Sequence, residues 1–484
     1  MSGLICFLIC GWCHTNRGRA PWPVSPPAML TNVGLLHCGG TYLFCDAMVL
    51  IYSHISSPRL QYTCSFIFKE LMGIEFSVTI DSEEFKSHEG PKINYSKTAI
   101  TPVEFCINNH SLLFETGIKE QSIECFETNK YKAFFKTETG NFPFDVFAAS
   151  FYLISRYEEY LSHEKDSYGR YAHKNSLAFK VGFLHLPIIN TWVADLAATL
   201  NQHFFHGVMG TIFNSPYSIF SFKPTYDIDI AYSYKHKGLL RNIGGFLKSP
   251  SAERLQVLAA SKKDPFDIYE WLDGLHQRYN LKPFYFFLVA EKNSRYDKNI
   301  LPHKEVMWKL VKQHAKKYAI GLHPSWQSGD EPGLLKKELE QLTAMVQEAG
   351  SVPTLSRQHY IRFNLPDGYR RLSEAGITDD YSMGYGSING FRASVASSFF
   401  WYDLIKEQQA ALRIHPFCYM DANSFYEQKL NTQQAYDELM HYYQVCKEAD
   451  GTLISIWHNN FLGTGPAFKG WKEMYEKFIA LVQQ

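Results

Sequence analysis

The chain has 484 residues, which is longer than one ordinary domain and predicts two or three domains. Lysine plus arginine and aspartate plus glutamate balance at 48 each, which excludes a nucleic-acid or anionic-membrane surface built on bulk charge. Aromatic residues make up 15% of the chain, enough for a large core and for platforms on which sugar rings stack. No apolar run is long enough to span a bilayer, so we expect no membrane span.

The first 47 residues differ from the rest of the chain because they hold five of the ten cysteines and have no clear periodicity. Cys10 and Cys13 have C-x-x-C spacing, but one such pair without a preceding strand is weak evidence for a zinc or redox site. The apolar run at residues 4–12 lacks the basic residue that precedes it in a signal peptide. We interpret residues 1–47 as a disordered or non-native extension. The remaining cysteines are odd in number and widely spaced, which favours a cytoplasmic location.

Residues 48–215 mix short strand patterns with helices, and we interpret them as a separate α+β accessory domain of unknown role. A strand-like pattern begins at Met48. Further strands are predicted at residues 76–80 and 111–114, and helices at 144–160 and 187–205. The polar aromatic loop 166–173 lies between these helices and either binds ligand or forms a structural turn.

Residues 220–484 alternate short apolar strands with amphipathic helices. About 260 residues of this alternation are typical of a parallel α/β barrel or a close relative. The predicted strands are 222–228, 283–289, 319–323, 352–355, 413–417 and 452–457. The predicted helices are 265–279, 303–317, 333–350, 366–375, 432–449 and 468–482.

The first of these strands ends in two acidic residues, Asp227 and Asp229. In an extended strand this spacing places both carboxylates on one face, roughly 6.5–7 Å apart. Like charges so placed need a cation, a proton or a substrate between them, although an Asp-rich turn at a strand end has the same pattern. Barrel enzymes place their chemistry at the carboxyl ends of the strands. The other ionisable residues near strand ends are His323, Arg357, His359, His415 and His458.

The motifs and their order resemble those of the polysaccharide deacetylase family, the NodB-homology or carbohydrate esterase family 4 type. The resemblance covers about residues 220–484 and implies an irregular (β/α) barrel of the glycoside hydrolase/deacetylase type. Residues 48–215 resemble an uncharacterised domain that accompanies such regions in some bacterial proteins. The four matching stretches are Thr225–Asp229, Ile320–Ser325, Gly390–Ser394 and Ile454–His458.

The resemblance also implies roles for individual residues. Asp227 is the expected general base and Arg392 the residue that orients it. His458 is expected to protonate the leaving group, and Asp229 and His323 are expected to bind a divalent metal ion, with zinc the expected ion.

A catalytic zinc ion needs three protein ligands and an open position for water. The family's second metal histidine lies four residues after the first, and this chain has Gln327 there. We expect His359 to be the third ligand, with Gln327 and His415 as alternatives.

The predicted function is therefore metal-dependent removal of N-acetyl or O-acetyl groups from a carbohydrate. Candidate residues for stacking on sugar rings are Tyr381, Tyr385, Trp401 and Trp457. One alternative is a metal-free, degenerate domain that binds a glycan without cutting it, which Gln327 favours. Another is a glycoside hydrolase that uses Asp227 with Asp380 or Asp421. The sequence does not define the sugar or the oligomeric state.

Overall fold

The computed structural model of the chain describes residues 48–205, 213, 219–248 and 250–483. The interpretation of residues 1–47 as an extension lies outside the described residues. Within the described part, two mainly parallel sheets and thirteen α-helices give a mixed α/β fold, as the sequence predicts. None of the helices described is both long enough and apolar enough to cross a membrane.

The smaller parallel sheet is formed within residues 49–106 and has four strands in the order β2-β1-β3-β4. Its central strand β1 is apolar at every position and largely buried, which is typical of a parallel strand covered on both faces. The strands are β1 Val49–Tyr52, β2 Phe76–Thr79, β3 Lys92–Asn94 and β4 Phe105–Cys106, followed by the antiparallel pair β5 Cys125–Glu127 and β6 Lys132–Phe134. The helices are α1 Pro58–Cys64, α2 Ser82–Ser87, α3 Val146–Ile154, α4 Leu177–Val181 and α5 Ile188–Phe205.

Two predictions in this region are corrected by the structure. The strand predicted at residues 111–114 is a 3₁₀ turn, and His110 Nδ1 caps it by accepting a hydrogen bond from the Leu112 amide at 3.2 Å. The helix predicted at residues 144–160 ends at Ile154, and a 3₁₀ turn follows it. Between the two, Arg156 has a left-handed φ of 55°, which redirects the chain.

The larger sheet has nine strands in the order β12-β13-β11-β10-β9-β8-β7-β15-β14. All its pairings are parallel except that between β12 and β13. The strands are β7 Ser221–Ile228, β8 Phe284–Phe287, β9 Ala319–Leu322, β10 Leu355–Ser356, β11 Asp379–Asp380, β12 Phe399–Asp403, β13 Gln408–Ile414, β14 Tyr419–Met420 and β15 Thr452–His458. The helices are α6 Leu239–Lys248, α7 Ala252–Leu258, α8 Tyr269–Arg278, α9 Glu305–Ala315, α10 Pro332–Val346, α11 Asp367–Glu374, α12 Thr432–Glu448 and α13 Trp471–Val482.

The predicted barrel remains a prediction. Strand β13 ends at Ile414 and β14 begins at Tyr419, so residues 415–418 connect strands near the two ends of the sheet. Among the described residues, no strand pairing joins those ends into a ring.

The sheet brings the carboxyl ends of its parallel strands to one edge. Strand β7 lies between β15 and β8, and its register with β15 sets Asp227 opposite His458. His323 follows β9, and His359 follows β10, further along the same edge. Asp227, Asp229, His323, His359 and His458 therefore lie at one edge of the sheet, at the ends of β7, β9, β10 and β15.

Two ion pairs join the two predicted domains. Arg59, which is fully buried, donates to Glu407 at 2.6 Å. Glu159 accepts from Arg392 at 2.5 Å, and both side chains are buried. Residues 47–484 form one compact unit by their contacts. The boundary predicted between residues 215 and 220 adjoins residues outside the described part and stays a prediction.

Candidate metal and catalytic site

Three predicted ligands, Asp229, His323 and His359, meet at the edge of the sheet with their ligand atoms within 4.8 Å of one another. Asp229 Oδ1 lies 3.1 Å from His323 Nε2, and Asp229 Oδ2 lies 3.4 Å from His359 Nε2. Ligand atoms about 2.0–2.1 Å from a tetrahedral zinc ion lie about 3.3 Å from each other. The spacing of these atoms is therefore close to that of a metal site.

Hydrogen bonds on the far side of each imidazole orient the cluster. His323 Nδ1 donates to the carbonyl oxygen of Arg357 at 2.5 Å, and His359 Nδ1 lies 2.8 Å from Asp297 Oδ1. Metal-binding histidines commonly use their second nitrogen in this way. Both Nε2 atoms are left to face Asp229, whose Oδ1 is shielded from solvent and, apart from the 3.1 Å contact with His323 Nε2, has no polar partner among the described residues. This carboxylate and the two nitrogens fit a divalent metal ion such as zinc.

The electrostatics of the cluster favour a cation beside Asp229. Burial opposes a charge on His359, but Asp229 and Asp297 outweigh it and raise the pKa of His359 to about 9. Burial likewise opposes a charge on Asp229, yet His359 and His458 hold the pKa of Asp229 well below its ordinary value. A carboxylate that is ionised in this setting attracts either protonated histidines or a metal ion.

Asp227 is held by an arginine that the motif comparison does not indicate. Arg357 Nη1 donates to Asp227 Oδ1 at 2.9 Å and to Thr225 Oγ1 at 2.7 Å. Its Nε donates to the carbonyl oxygen of Tyr381 at 3.0 Å, and its guanidinium carbon lies 4.4 Å from the ring centre of Phe286. Three hydrogen bonds and one ring contact therefore define the position of the Arg357 side chain.

The expectation that Arg392 orients Asp227 is corrected by this geometry. Arg392 donates to both carboxylate oxygens of Glu159, at 2.5 and 2.8 Å, and to the carbonyl oxygen of Gly384 at 3.1 Å. A bidentate bond to a buried carboxylate fixes the guanidinium away from Asp227. Arg357 occupies the place that the sequence comparison assigns to Arg392.

His458 lies on the same cluster and is oriented by Asp421. Its Nδ1 is 2.6 Å from Asp421 Oδ1, and its backbone amide donates to Asp421 Oδ2 at 2.7 Å. Its Nε2 lies 3.6 Å from Asp229 Oδ2. Burial opposes a charge on His458, but Asp421 and Asp229 raise its pKa to about 10. Asp421 therefore orients the imidazole with Nε2 towards the cluster, and the raised pKa favours its protonated form.

The alternative ligands and carboxylates lie elsewhere. Gln327 begins a 3₁₀ turn, and His415 is paired with Asp379 at 2.7 Å, so neither joins the three-residue cluster. Asp380 is fully buried and accepts hydrogen bonds from two serine hydroxyls. Asp421, the other acid considered as a glycosidase partner of Asp227, is hydrogen-bonded to His458.

A cavity of about 610 Å³ opens over the cluster. Its wall includes Asp227, Asp229, His323, His359 and His458 together with Tyr168, Arg170, Tyr360, Tyr426 and Phe461. Volumes of this size are ordinary for small-molecule sites.

The aromatic residues predicted to stack on sugar are buried instead of facing this cavity. Tyr381, Tyr385, Trp401 and Trp457 are at most 3% exposed. Tyr381 stacks on His415 with ring centres 4.4 Å apart, and Trp457 packs on Tyr475 at 4.3 Å. Aromatic residues near the ends of buried strands serve the core here, so this prediction is wrong.

Sequence reasoning missed the roles of Arg357, Asp297 and Asp421. The sequence held one indication of the role of Arg357, because this residue lies two positions before the proposed ligand His359, after the same strand. Asp297 and Asp421 lie outside the motifs, and their contacts depend on how distant segments pack.

No curated protein matches this chain in sequence. One similar solved structure is described as a candidate polysaccharide deacetylase from Mycobacterium smegmatis; the TM-score is 0.37, the identity 13%, and the match covers 55% of this chain and 84% of that chain. Another is 4-alpha-glucanotransferase from Thermococcus litoralis, with a TM-score of 0.35 and 10% identity over 55% of this chain and 38% of that chain. Similarities at these TM-scores carry no inference about function. By sequence, residues 49–205 match the model of DUF7033, a family of unknown function.

Proposed function

We propose that this chain is a metal-dependent hydrolase that removes acetyl groups from a carbohydrate. The observation that carries the proposal is the convergence in one cavity of a three-residue donor cluster, a carboxylate fixed by Arg357 and an imidazole oriented by Asp421. Hydrolysis of an amide or ester needs an activated water, a polarised carbonyl and a proton for the leaving group. The cavity holds residues suited to each requirement.

Asp229, His323 and His359 would hold the metal ion, and zinc suits their oxygen and nitrogen donors. When bound, such an ion supplies Lewis acidity towards an acyl carbonyl and makes a water molecule more acidic. The hydrogen bonds from His323 to Arg357 and from His359 to Asp297 keep the ligand atoms in place before the ion arrives.

Asp227 is the proposed general base. It is 2% exposed, and the bond from Arg357 fixes one of its oxygens. Its other oxygen, Oδ2, lies 3.9 Å from His323 Nε2, beside the cluster. From there Asp227 can take the proton of a water as the water oxygen bonds to the acetyl carbon.

His458 is the proposed general acid. Its Nδ1 donates to Asp421, which leaves Nε2 facing the cavity, and in the imidazolium form, which the raised pKa of about 10 favours, Nε2 carries the proton to be given up. As the bond from the acetyl carbon to the sugar nitrogen or oxygen breaks, that proton goes to the departing atom. The products are acetate and the free amino or hydroxyl sugar.

The proposal includes the predicted fold of residues 220–484, an irregular (β/α) barrel. Its support is the short connection of residues 415–418 between β13 and β14, which lie near opposite ends of the nine-stranded sheet. A sheet whose near-terminal strands are joined so directly has to curve strongly.

The test is acetate release from N-acetylglucosamine oligomers by the zinc-loaded full chain. We expect Asp227→Asn and His458→Ala to lower kcat by at least about 10²-fold, in line with the loss of a general base or acid. Asp437→Asn and His441→Ala, two exposed changes on α12, are the matched controls and should keep the parental rate. Folded Asp227→Asn and His458→Ala proteins as fast as the parent would refute the hydrolase. A parent that binds the oligomer with no metal and releases no acetate would identify the glycan-binding alternative.

A further inference from the structure

One loop of the region matched by the family of unknown function reaches the cavity over the metal cluster. This loop, Asp166–Arg170, is called the 166–170 loop below. Its Tyr168 and Arg170 line the cavity together with Asp229 and His359. Residues 49–205 therefore contribute to the wall of the candidate active site.

Arg170 fixes the loop against the larger sheet. Its side chain is 5% exposed, and its Nε donates to Asp166 Oδ2 at 2.6 Å. Its Nη1 donates to the carbonyl oxygens of Tyr360 and Gly386, at 3.1 and 2.9 Å. A β-carbon on Gly386 would lie 2.1 Å from this nitrogen, so the contact requires glycine there. Because Asp166 neutralises Arg170, the arginine is a positioning residue and not an anion site.

Tyr360, whose carbonyl oxygen accepts from Arg170, follows directly after the proposed ligand His359. Tyr360 and Ile361 have φ values of 57° and 56°, in the left-handed region that non-glycine residues rarely adopt. Such strained pairs persist only where the surroundings hold them, and the hydrogen bond from Arg170 to Tyr360 is one such restraint. The turn aims the Tyr360 side chain at the cavity beside His359.

Tyr168 and Tyr360 form an aromatic pair on the cavity wall. Their ring centres are 5.1 Å apart with an interplanar angle of 27°, and Arg362 Nε holds the loop by donating to the Tyr168 carbonyl at 3.2 Å. Both side chains are half-buried. Among the described residues, neither phenolic hydroxyl has a hydrogen-bond partner. The Arg170 guanidinium carbon lies 4.7 Å from the ring centre of Tyr168, and Tyr296 packs edge-on against both rings, so the pair offers the cavity its remaining ring surface and two hydroxyls.

We propose that Tyr168 and Tyr360 form a saccharide subsite beside the metal cluster, so that residues 49–205 take part in substrate binding. A pyranose ring has apolar C–H surface and a rim of hydroxyls, which matches ring surface flanked by free phenolic hydroxyls. The subsite would hold the sugar that carries, or adjoins, the acetyl group. This inference rests on the proposed function.

The experiment measures oligosaccharide binding separately from turnover. The background is the zinc-loaded Asp227→Asn chain, because this substitution should prevent hydrolysis during the measurement. Titration calorimetry gives the Kd of this chain for an N-acetylglucosamine oligomer, and the same measurement is made after adding Tyr168→Ala or Tyr168→Phe. We expect Tyr168→Ala to raise this Kd by about tenfold or more, as for an aromatic contact in a binding site. Tyr168→Phe should lie between, because it keeps the ring and loses the hydroxyl. Tyr436→Ala, on α12 away from the cavity wall, is the control and should bind as the parent does.

Two further readouts separate a substrate contact from a structural effect. In the active chain, Tyr168→Ala should raise KM about tenfold with kcat within about twofold of the parent, since uniform binding is lost. Its zinc affinity should be unchanged.

The outcomes distinguish this subsite from the proposed function. Parental oligomer binding by Tyr168→Ala overturns the subsite alone, and so does a loss of zinc affinity, which would mean that the loop acts through His359. Oligomer binding that depends on Tyr168 without any acetate release overturns the hydrolase and supports the subsite. A parent that neither binds nor hydrolyses the oligomer overturns both.

Discussion

Arg357 Nη1 lies 2.9 Å from Asp227 Oδ1, so the ends of β7 and β10, which β8 and β9 separate in the sheet, are joined by a buried charge-assisted hydrogen bond. The other arginine considered for this role, Arg392, is bound to Glu159. The identity of the residue that positions the proposed general base is thus decided by packing.

Replacing Arg357 should therefore damage turnover. We expect Arg357→Lys to lower kcat by about 10²-fold, because a lysine cannot reproduce the planar contacts to Asp227, Thr225 and Tyr381, and a base misplaced by about 1 Å costs that much. Acetate release under saturating substrate is the measurement. Arg413→Lys, a partly exposed arginine paired with Glu70, is the control. Equal rates for the two variants would exclude a positioning role for Arg357.

Arg392 and Glu159 should matter for stability. Glu159→Gln leaves Arg156 and Arg392 buried with one carboxylate fewer between them, and breaking a buried ion pair costs about 3–5 kcal/mol. We expect a correspondingly lower urea midpoint. The control is Glu476→Gln, because Glu476 forms an exposed pair with Arg278 that contributes about 0–1 kcal/mol. A Glu159→Gln protein as stable as the control would contradict this view of the network.

Metal affinity should depend on the proposed ligands and also on Asp297, which orients one of them. Asp297→Asn removes the carboxylate that orients His359, and such changes typically weaken metal binding about 10–100-fold. His323→Ala should abolish stoichiometric zinc binding, whereas His415→Gln should retain it, because His415 lies outside the cluster. Calorimetric titration with zinc and elemental analysis test all three variants. Retention of one zinc per chain in His323→Ala would rule out the site.

The buried His314 predicts acid sensitivity of the fold. Burial lowers its pKa from 6.5 to about 4, and its Nε2 has no hydrogen-bond partner among the described residues. Between these pH values the unfolded chain binds more protons than the folded one, so the free energy of unfolding falls as the pH falls. The loss due to this residue should be about 2 kcal/mol at pH 5.

Urea unfolding of a His314→Leu variant at pH 7 and pH 5 checks this. We expect the variant to lose less stability on acidification than the parent does. His303→Asn, at an exposed position just before α9, should keep the parental pH dependence. A parental drop in His314→Leu would show that the acid sensitivity arises elsewhere.

Local patterns predicted much of the sheet and the metal cluster. The strand that contains Asp227 and the helices of the second half follow from periodicity, and the rule that parallel strands end at one edge brings Asp229, His323 and His359 to the same edge. The resemblance to polysaccharide deacetylases supplied the expectation that Asp229 and His323 bind metal. These features depend on residues close together in sequence or on equivalent strand ends.

The features that could not be predicted depend on long-range partners. The sequence does not reveal the hairpin of β12 and β13, because its turn has no glycine or asparagine signal. The structure uses Asp403 instead, which accepts from the amides of Ile405 and Lys406, and Glu407 takes a φ of 50°. The choice between Arg357 and Arg392 similarly depends on Glu159, which belongs to another part of the chain.

The bond between Glu159 and Arg392 joins residues 233 positions apart. At about 5–20 residues per second on the ribosome, Glu159 is made roughly 10–50 s before its partner. During that interval Arg156, three positions away, can neutralise the carboxylate through the 2.8 Å contact that it keeps in the finished protein. In the finished protein Glu159 therefore has one counter-ion close in sequence, Arg156, and one distant, Arg392.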